Sequence, residues 1–156
     1  LIVVFQSAQN VVDSLAKKDL PFVIPDNPRT YVRKAQYHFG WDWGPKYTTC
    51  GIWKEARLEA YDNVAPEKDY IPSRKIELVQ QPDSLGKSFY FKIDGKPVYM
   101  KGANYIPSDA LLSRVTKKEY EKVIKMAKDA NMNMLRVWGG GIYEDDYFYD
   151  LFLHMK

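Results

Sequence analysis

Residues 134–141 read MLRVWGGG, and this stretch decides how the rest of the chain is interpreted. Leu135 and Val137 alternate with Arg136 and Trp138, so a strand here places the aliphatic side chains on one face and the cation and the indole on the other. The three glycines that follow carry no Cβ, and they allow the backbone to bend and a ligand to come close. The stretch therefore predicts a short buried strand that ends at a site.

A helix is predicted on each side of this strand. Residues 116–119 have the Ser/Thr-x-x-Glu spacing of a capping box, and apolar residues follow at helical spacing until Asn131 ends the pattern. Residues 144–146 then place three carboxylates on a first turn, ahead of an apolar stripe formed by Phe148, Leu151, Phe152 and Met155. The order helix, strand, glycine turn and helix is typical of a parallel α/β unit.

The carboxyl ends of the strands are where function collects in parallel α/β units, most clearly in eight-stranded barrels. Arg136 and Trp138 lie at such an end, beside the glycines. This segment alone agrees equally well with purely structural roles for both residues. In that interpretation Trp138 belongs to the core and Arg136 pairs with a carboxylate.

Composition and charge argue against several classes of protein. The net charge of +3 is modest and the cations are scattered, which argues against nucleic acid as the main partner. Cys50 is the only cysteine, and the two histidines, His38 and His154, do not have the spacing of a structural zinc site. The apolar run at residues 1–5 is too short to span a membrane. We therefore expect no nucleic-acid partner, no membrane association, no metal and no other cofactor.

Residues 1–63 have a β pattern. Strands are predicted at 1–5, 30–39 and 52–61, and the last of these alternates apolar and polar side chains, as a half-exposed strand of an antiparallel sandwich does. Three strands do not complete a sandwich, which takes about 100 residues. The region is therefore expected to be one part of a larger β-sandwich.

Residues 40–45 read GWDWGP and form a second unusual stretch. The flanking glycines and the closing proline predict a sharp turn that displays Trp41, Asp42 and Trp43 at a loop tip. Two indoles with a carboxylate between them suit a sugar, because its C–H faces stack on aromatic rings and its hydroxyls donate to the carboxylate. The structural alternative is a turn whose tryptophans pack inward and whose Asp42 caps backbone N–H groups. That alternative is favoured for either tryptophan singly, but not for the whole stretch.

A hairpin is predicted between the two unusual stretches. Residues 64–87 are interrupted by prolines, and only 74–80 has the alternation of a strand. In residues 88–101 apolar side chains alternate on both sides of Asp94-Gly95, a pair typical of a type I′ turn. Asn104 follows directly, where its side chain can point at a ligand.

Three stretches together resemble one family of enzymes. Residues 33–45, 101–107 and 131–144 are similar to the β-mannosidases of glycoside hydrolase family 2. The resemblance implies removal of terminal non-reducing β-D-mannose from β-mannosides with retention, by one Glu as acid/base and another as nucleophile about 5–5.5 Å apart. The family places both on later barrel strands, and no Glu of this chain lies in a matching motif. The resemblance thus implies a β-mannosidase as the parent protein and no hydrolysis by this chain alone.

The resemblance also implies an α+β multidomain fold with three parts in this chain. Residues 1–63 would be the carboxyl-terminal part of a galactose-binding-like, jelly-roll β-sandwich. Residues 64–87 are too short for the family's immunoglobulin-like domain and would be a linker with a remnant of it. Residues 88–156 would be the first βα units of a TIM (β/α)8 barrel. A closed barrel takes about 200–250 residues, so the chain is expected to be a fragment.

Six residues take roles from the resemblance. Arg136 resembles the arginine that positions the nucleophilic carboxylate and keeps it ionised. Asp42 resembles the loop carboxylate that binds hydroxyls of the terminal mannose, and Trp41 and Trp43 shape that loop. Trp138 resembles an aromatic wall of the mannose pocket, and Asn104 has a weaker supporting role in substrate binding.

Two other functions compete with this interpretation. One is a non-catalytic carbohydrate-binding β-sandwich module in which Trp41, Asp42 and Trp43 form the whole site. The other is a β-galactosidase or β-glucuronidase of the same family, which the Trp-Asp-Trp-Gly and Trp-Gly-Gly-Gly motifs fit less well. The family is usually lysosomal, periplasmic or secreted, and residues alone do not choose among these compartments.

Overall fold

The computed structural model describes residues 2–18, 28–58, 60, 62 and 74–154. The helices are α1 (Ala8–Ala16), α2 (Lys117–Asp129) and α3 (Asp146–His154), with three short 3₁₀ helices at Pro28–Tyr31, Gln36–Phe39 and Leu112–Arg114. The strands are β1 (Ile76–Val79), β2 (Tyr90–Ile93), β3 (Lys96–Val98), β4 (Gly102–Tyr105) and β5 (Met134–Val137). They form an antiparallel sheet in the order β1-β2-β3 and a parallel pair, β4-β5.

The parallel pair is the centre of the fold. α2 connects β4 to β5, and α3 follows β5, so the predicted parallel α/β unit is confirmed in this part of the chain. Gly102 pairs with Met134, and a Cβ on Gly102 would lie 1.9 Å from the Met134 carbonyl oxygen. Only glycine therefore allows this approach of the two strands. Two residues further on, Asn104 pairs in register with Arg136.

Phe148 of α3 lies at the centre of the core of this unit, and its side chain is fully buried. The rings of Tyr105 and Tyr120 pack on it, with centroids 4.7 and 5.3 Å away. The Tyr120 hydroxyl donates to the buried Glu144 carboxylate at 2.6 Å. Burial, followed by the hydrogen bond and the charge of Glu144, raises the pKa of Tyr120, so this phenol remains a donor. The contact ties α2 to the loop before α3.

The alternation predicted for β5 is confirmed. Leu135 and Val137 pack against the Phe148 core, whereas Arg136 on the opposite face is exposed. Trp138 is half-buried and lies outside that core cluster. The strand therefore separates a packing face from a face that is free to bind.

The ends of α2 follow the predicted signals. The Thr116 N–H donates to the Glu119 carboxylate at 2.7 Å, and the reciprocal bond of the capping box is also present. At the other end Asn131 has φ +56°, the left-handed conformation that closes a helix. Both boundaries are thus set by local chemistry.

The hairpin is also confirmed. Asp94 and Gly95 both have positive φ, 49° and 79°, as a type I′ turn requires. β2 pairs with β3 across this turn and with β1 on its other edge, where Leu78 faces Phe91. The predicted strand at 74–80 corresponds to β1.

The strands predicted for residues 1–63 are wrong within the described residues. Residues 2–5 and 52–58 are assigned to no strand, and the 30–39 segment forms two 3₁₀ helices instead. α1, which the sequence interpretation did not include, packs on the first of these helices and buries Val12. Alternation marks a possible strand, but a strand also needs a neighbour for its backbone hydrogen bonds, and none lies beside these segments in the described part. No strand of the expected sandwich is therefore formed in residues 2–18, 28–58, 60 and 62.

Some predicted segment ends lie outside the described residues, namely residues 1, 59 and 61 and Met155. The accessible surface of the chain, 12806 Å², exceeds the about 8100 Å² that a compact monomer of 18.2 kDa presents. Apolar side chains account for part of the excess, among them Ile52, Leu58, Ile76, Leu85 and Phe89, all of which are largely exposed. Several faces of the chain thus remain uncovered.

Candidate functional site

The GWDWGP stretch forms the predicted tight turn. The Trp41 N–H donates to the Gly44 carbonyl at 3.1 Å and the Gly44 N–H donates back at 3.3 Å, which leaves Asp42 and Trp43 at the tip. Gly40, just before the turn, has φ +99°, a conformation that favours glycine. Asp42 is exposed and forms no hydrogen bond or salt bridge with another described residue. It does not cap backbone N–H groups there, so its carboxylate is available to a ligand.

The turn is anchored to the glycine stretch after β5. The Tyr37 N–H donates to the Gly140 carbonyl at 3.2 Å, and the Tyr37 hydroxyl donates to the Ala110 carbonyl at 3.4 Å. The Tyr37 ring is fully buried and its centroid lies 5.1 Å from that of Trp43. Burial raises the pKa of Tyr37, with Glu144 adding to the effect, so the phenol stays a donor. Tyr37 thus fixes the turn against the end of the strand.

Three indoles then meet, and we call Trp41, Trp43 and Trp138 the tryptophan cluster. The Trp41 and Trp138 rings meet edge to face, with centroids 4.9 Å apart and planes at 67°. The Trp43 and Trp138 centroids are 6.2 Å apart at 75°. Edge-to-face geometry at these distances is the favourable arrangement of aromatic pairs. The two unusual stretches of the sequence therefore form one surface.

The glycines after Trp138 give the indole its position. The Trp138 N–H donates to the Tyr105 carbonyl at 2.9 Å and extends the β4-β5 pairing by one residue. The ring then folds over Gly140, where a Cβ would lie 2.2 Å from it. Gly141 is less restricted, because a Cβ there would lie 3.1 Å from Pro107. Glycine at position 140 is thus needed for the present position of the indole, whereas Gly139 has open space around it.

Arg136 and Asn104 form the polar edge of the strand pair. The Arg136 Nη1 donates to the Asn104 Oδ1 at 3.2 Å, and both residues are exposed. Among the residues that the structure describes, Arg136 forms no salt bridge. The structural interpretation, with Arg136 paired to a carboxylate, is therefore not observed there. Its guanidinium keeps donors for an incoming carboxylate.

The residues that the sequence interpretation missed lie around the tryptophans. The Arg29 guanidinium lies 4.7 Å above the Trp41 ring, a cation–π contact. Tyr37 anchors the turn, but the only feature of the sequence that marked this residue was its position in a run of aromatic residues. Spacing in the sequence predicts neither contact, because both depend on how a turn folds back. Of the predicted residues, Trp41, Trp43 and Trp138 are brought together, as are Asn104 and Arg136. No contact joins Asp42 to either polar residue.

In the described part of the chain, no cluster of three or more His, Cys, Asp or Glu residues could hold a metal ion. No described helix is long and apolar enough to cross a membrane. The site is thus built from aromatic rings, the free Asp42 carboxylate and the guanidiniums of Arg29 and Arg136. Such a surface suits a neutral, hydroxylated ligand.

Comparisons with known proteins show what the chain is similar to. Residues 1–54 match the family described as glycosyl hydrolase 2 galactose-binding domain-like. The chain is 30% identical to β-mannosidase B of Emericella nidulans, over 80% of this chain and 26% of that protein. It is 29% identical to the β-mannosidase of Bos taurus, over 78% and 26%. The crystal structure of a β-D-mannosidase from Dictyoglomus thermophilum superposes with a TM-score of 0.74 at 31% identity, over 93% of this chain and 30% of that one.

These findings confirm that the chain resembles the β-mannosidases of glycoside hydrolase family 2. They also support the multidomain fold of that family. The chain spans about a quarter of the length of the curated relatives. The alignments extend over 219 and 224 positions, more than the 156 residues of this chain. The relatives thus carry residues inside the aligned region that have no counterpart here.

Proposed function

We propose that the tryptophan cluster and Asp42 form one side of the mannose pocket of a retaining β-mannosidase to which this chain contributes. The contact between Trp41 and Trp138 carries the proposal, because it joins two motifs that are far apart in the sequence. The names of the relatives support a β-mannoside as the substrate. The chain would supply binding and positioning, and the acid/base and nucleophilic glutamates would come from elsewhere in the enzyme.

Each residue has a defined task in this proposal. Indole faces stack on the C–H face of the sugar, and Asp42 accepts hydrogen bonds from its hydroxyls. Arg136, steadied by Asn104, presents a planar fork that orients the nucleophilic carboxylate and lowers its pKa. A retaining reaction needs that carboxylate ionised, and the nearby guanidinium keeps it so.

The proposed enzyme also accounts for the division of this chain into three parts. Residues 1–63 would come from the galactose-binding-like domain, 64–87 from a shortened connection, and 88–156 from the start of the TIM barrel. The family match over 1–54 and the parallel β4-α2-β5-α3 order support this division. The extra aligned positions in the relatives fit a connection that is short here.

Asp42→Asn tests the proposal in the protein that contains this chain. A charge-assisted hydrogen bond contributes about 1.5–3 kcal/mol, so kcat/KM for an aryl β-D-mannoside should fall about tenfold or more. Because Asp42 is exposed and has no partner among the described residues, the melting temperature should not change. The exposed Asp62→Asn serves as a matched control for loss of one charge. An unchanged kcat/KM would remove Asp42 from the pocket.

A variant of Arg136 distinguishes the enzyme from a non-catalytic binding module. Arg136→Ala should abolish hydrolysis while the affinity for mannosides changes little, since the residue acts on the nucleophile. In a non-catalytic module the same variant would leave all measurable function intact. No hydrolysis by the 156-residue chain alone is expected in either case.

A further inference from the structure

A cavity of about 420 Å³ lies outside the tryptophan cluster. Trp41, Trp43 and Trp138 do not line it. Its volume falls within the range of small-molecule sites, about 300–1,000 Å³. The residues that line it come from two parts of the chain, 33–53 and 111–142, and they are Arg33, Lys34, Ala35, His38, Thr49, Cys50, Gly51, Ile52, Trp53, Leu111, Leu112, Ser113 and Ile142.

Positive charge dominates this cavity. Arg33 and Lys34 line it, and no Asp or Glu does. In the described part of the chain neither cation forms a salt bridge. Burial lowers the pKa of Lys34, and the neighbouring Cys50 offsets only part of that change. A half-buried ammonium without a carboxylate partner is costly, and a bound anion would offset the cost.

A buried imidazole adds a hydrogen-bond acceptor to the lining. His38 is 6% exposed, and its Nδ1 has no hydrogen-bond partner among the described residues. Burial, followed by the charge of Lys34, lowers the pKa of His38 to about 4, so the ring is neutral at pH 7. A neutral imidazole has one N–H and one acceptor nitrogen, so the unpartnered Nδ1 can accept a hydrogen bond from a hydroxyl when the N–H is on the other nitrogen.

The remaining lining is mixed. Thr49 and Ser113 contribute hydroxyls, and the other lining side chains are mainly apolar. Trp53 lines the cavity, and the Lys54 ammonium lies 4.9 Å from the centre of its ring. A ligand with a charged head and a small hydroxylated body would meet a partner for each of its groups.

We propose that this cavity binds a small hydroxylated organic anion, with its phosphate or carboxylate between Arg33 and Lys34 and a hydroxyl donating to His38. The site is separate from the proposed mannose pocket and does not depend on it. It adjoins that pocket through the backbone, since His38 follows Tyr37, which holds the tryptophan turn.

Cys50 provides the test, because it is exposed and lines the same cavity. The chain is alkylated with iodoacetamide, a neutral reagent, at fixed ionic strength. Modification of the tryptic peptide 47–54 is followed with time by mass spectrometry. Glycerol phosphate, glycerate, inorganic phosphate and uncharged glycerol are compared as protecting ligands.

Saturating glycerol phosphate or glycerate should slow alkylation of Cys50 at least fivefold, inorganic phosphate should protect less, and glycerol should not protect. The comparison of the two organic anions shows which head group the cavity takes. Lys34→Gln and Arg33→Gln should each raise the ligand concentration needed for half-maximal protection tenfold or more. The exposed Lys122→Gln should leave that concentration unchanged. Far-UV circular dichroism checks that each variant keeps its helices. Equal alkylation with and without the anions, or equal protection of Lys34→Gln and the unmodified chain, would overturn the proposal.

Discussion

Gly140→Ala tests whether the position of Trp138 matters to the site. A Cβ at Gly140 would lie 2.2 Å from Cη2 of the Trp138 ring, and carbon atoms need about 3.5 Å. The ring must therefore move by about 1.3 Å or turn away. Gly140 does not have a φ in the left-handed region, so alanine adds no backbone strain there. The whole effect of the substitution should pass through the indole.

The size of the effect follows from two ring contacts. Trp138 meets Trp41 at 4.9 Å and Trp43 at 6.2 Å, and each edge-to-face pair contributes about 0.5–1.5 kcal/mol. Loss of both corresponds to about 1–3 kcal/mol, which is about 5–150-fold in kcat/KM if the bound sugar depends on this geometry. Near-UV circular dichroism should lose intensity at the same time, because that signal depends on packed aromatic rings.

The neighbouring glycine provides a matched control. A Cβ at Gly139 meets no atom within 4 Å, and its φ is also outside the left-handed region. Gly139→Ala makes the same chemical change one residue away, and it should leave kcat/KM and the circular dichroism spectrum unchanged. Both variants are assayed on an aryl β-D-mannoside in the protein that contains this chain. Equal activity of the two variants would refute the role given to the packing of Trp138.

Three further predictions concern single residues. Arg136→Lys should lower kcat at least tenfold, measured on an aryl β-D-mannoside, because a point charge on a flexible stem does not replace the planar guanidinium; retained activity would contradict this. Phe148→Ala should lower the free energy of unfolding by about 3–5 kcal/mol in urea titrations, since it empties the centre of the core; a loss under 1 kcal/mol would show that the core lies elsewhere. Because the folded state depresses the pKa of His38 from 6.5 to about 4, the unfolded state binds more protons in that interval, and stability should fall by up to about 3 kcal/mol as pH drops through it. His38→Gln should flatten this dependence.

The sequence predicted the parallel α/β unit because its signals are local. The capping box at Thr116, the positive φ at Asn131 and the Asp94-Gly95 turn each depend on residues a few positions apart. The alternation of side chains in β5 was also sufficient to predict a strand, because one face is aliphatic and the other is polar. Local signals of this kind predict the structure correctly where the segment also packs against a neighbouring strand or helix.

Strands in residues 1–63 were predicted wrongly because alternation does not report whether a neighbouring strand exists. Residues 52–58 alternate well, yet in the described part they are exposed and belong to no strand. The candidate site was predicted residue by residue, but its assembly was not. The contact of Arg29 with Trp41 and the hydrogen bond from Tyr37 to Gly140 join segments distant in sequence, and no spacing rule indicates them.

Indole NMR shows whether the turn at 40–45 and the strand end at 138–141 form one sugar-binding surface. The chain is labelled with ¹⁵N-tryptophan and titrated with methyl β-D-mannoside and, separately, methyl β-D-galactoside. We expect the Trp41 and Trp138 indole signals to shift together, with one dissociation constant that is lower for the mannoside. The signal of Trp53, which lines the cavity beside Arg33 and Lys34, should stay fixed. A shift of only one of the two indoles would show that the two segments do not bind the sugar together, and equal responses to both sugars would show that the surface does not select mannose.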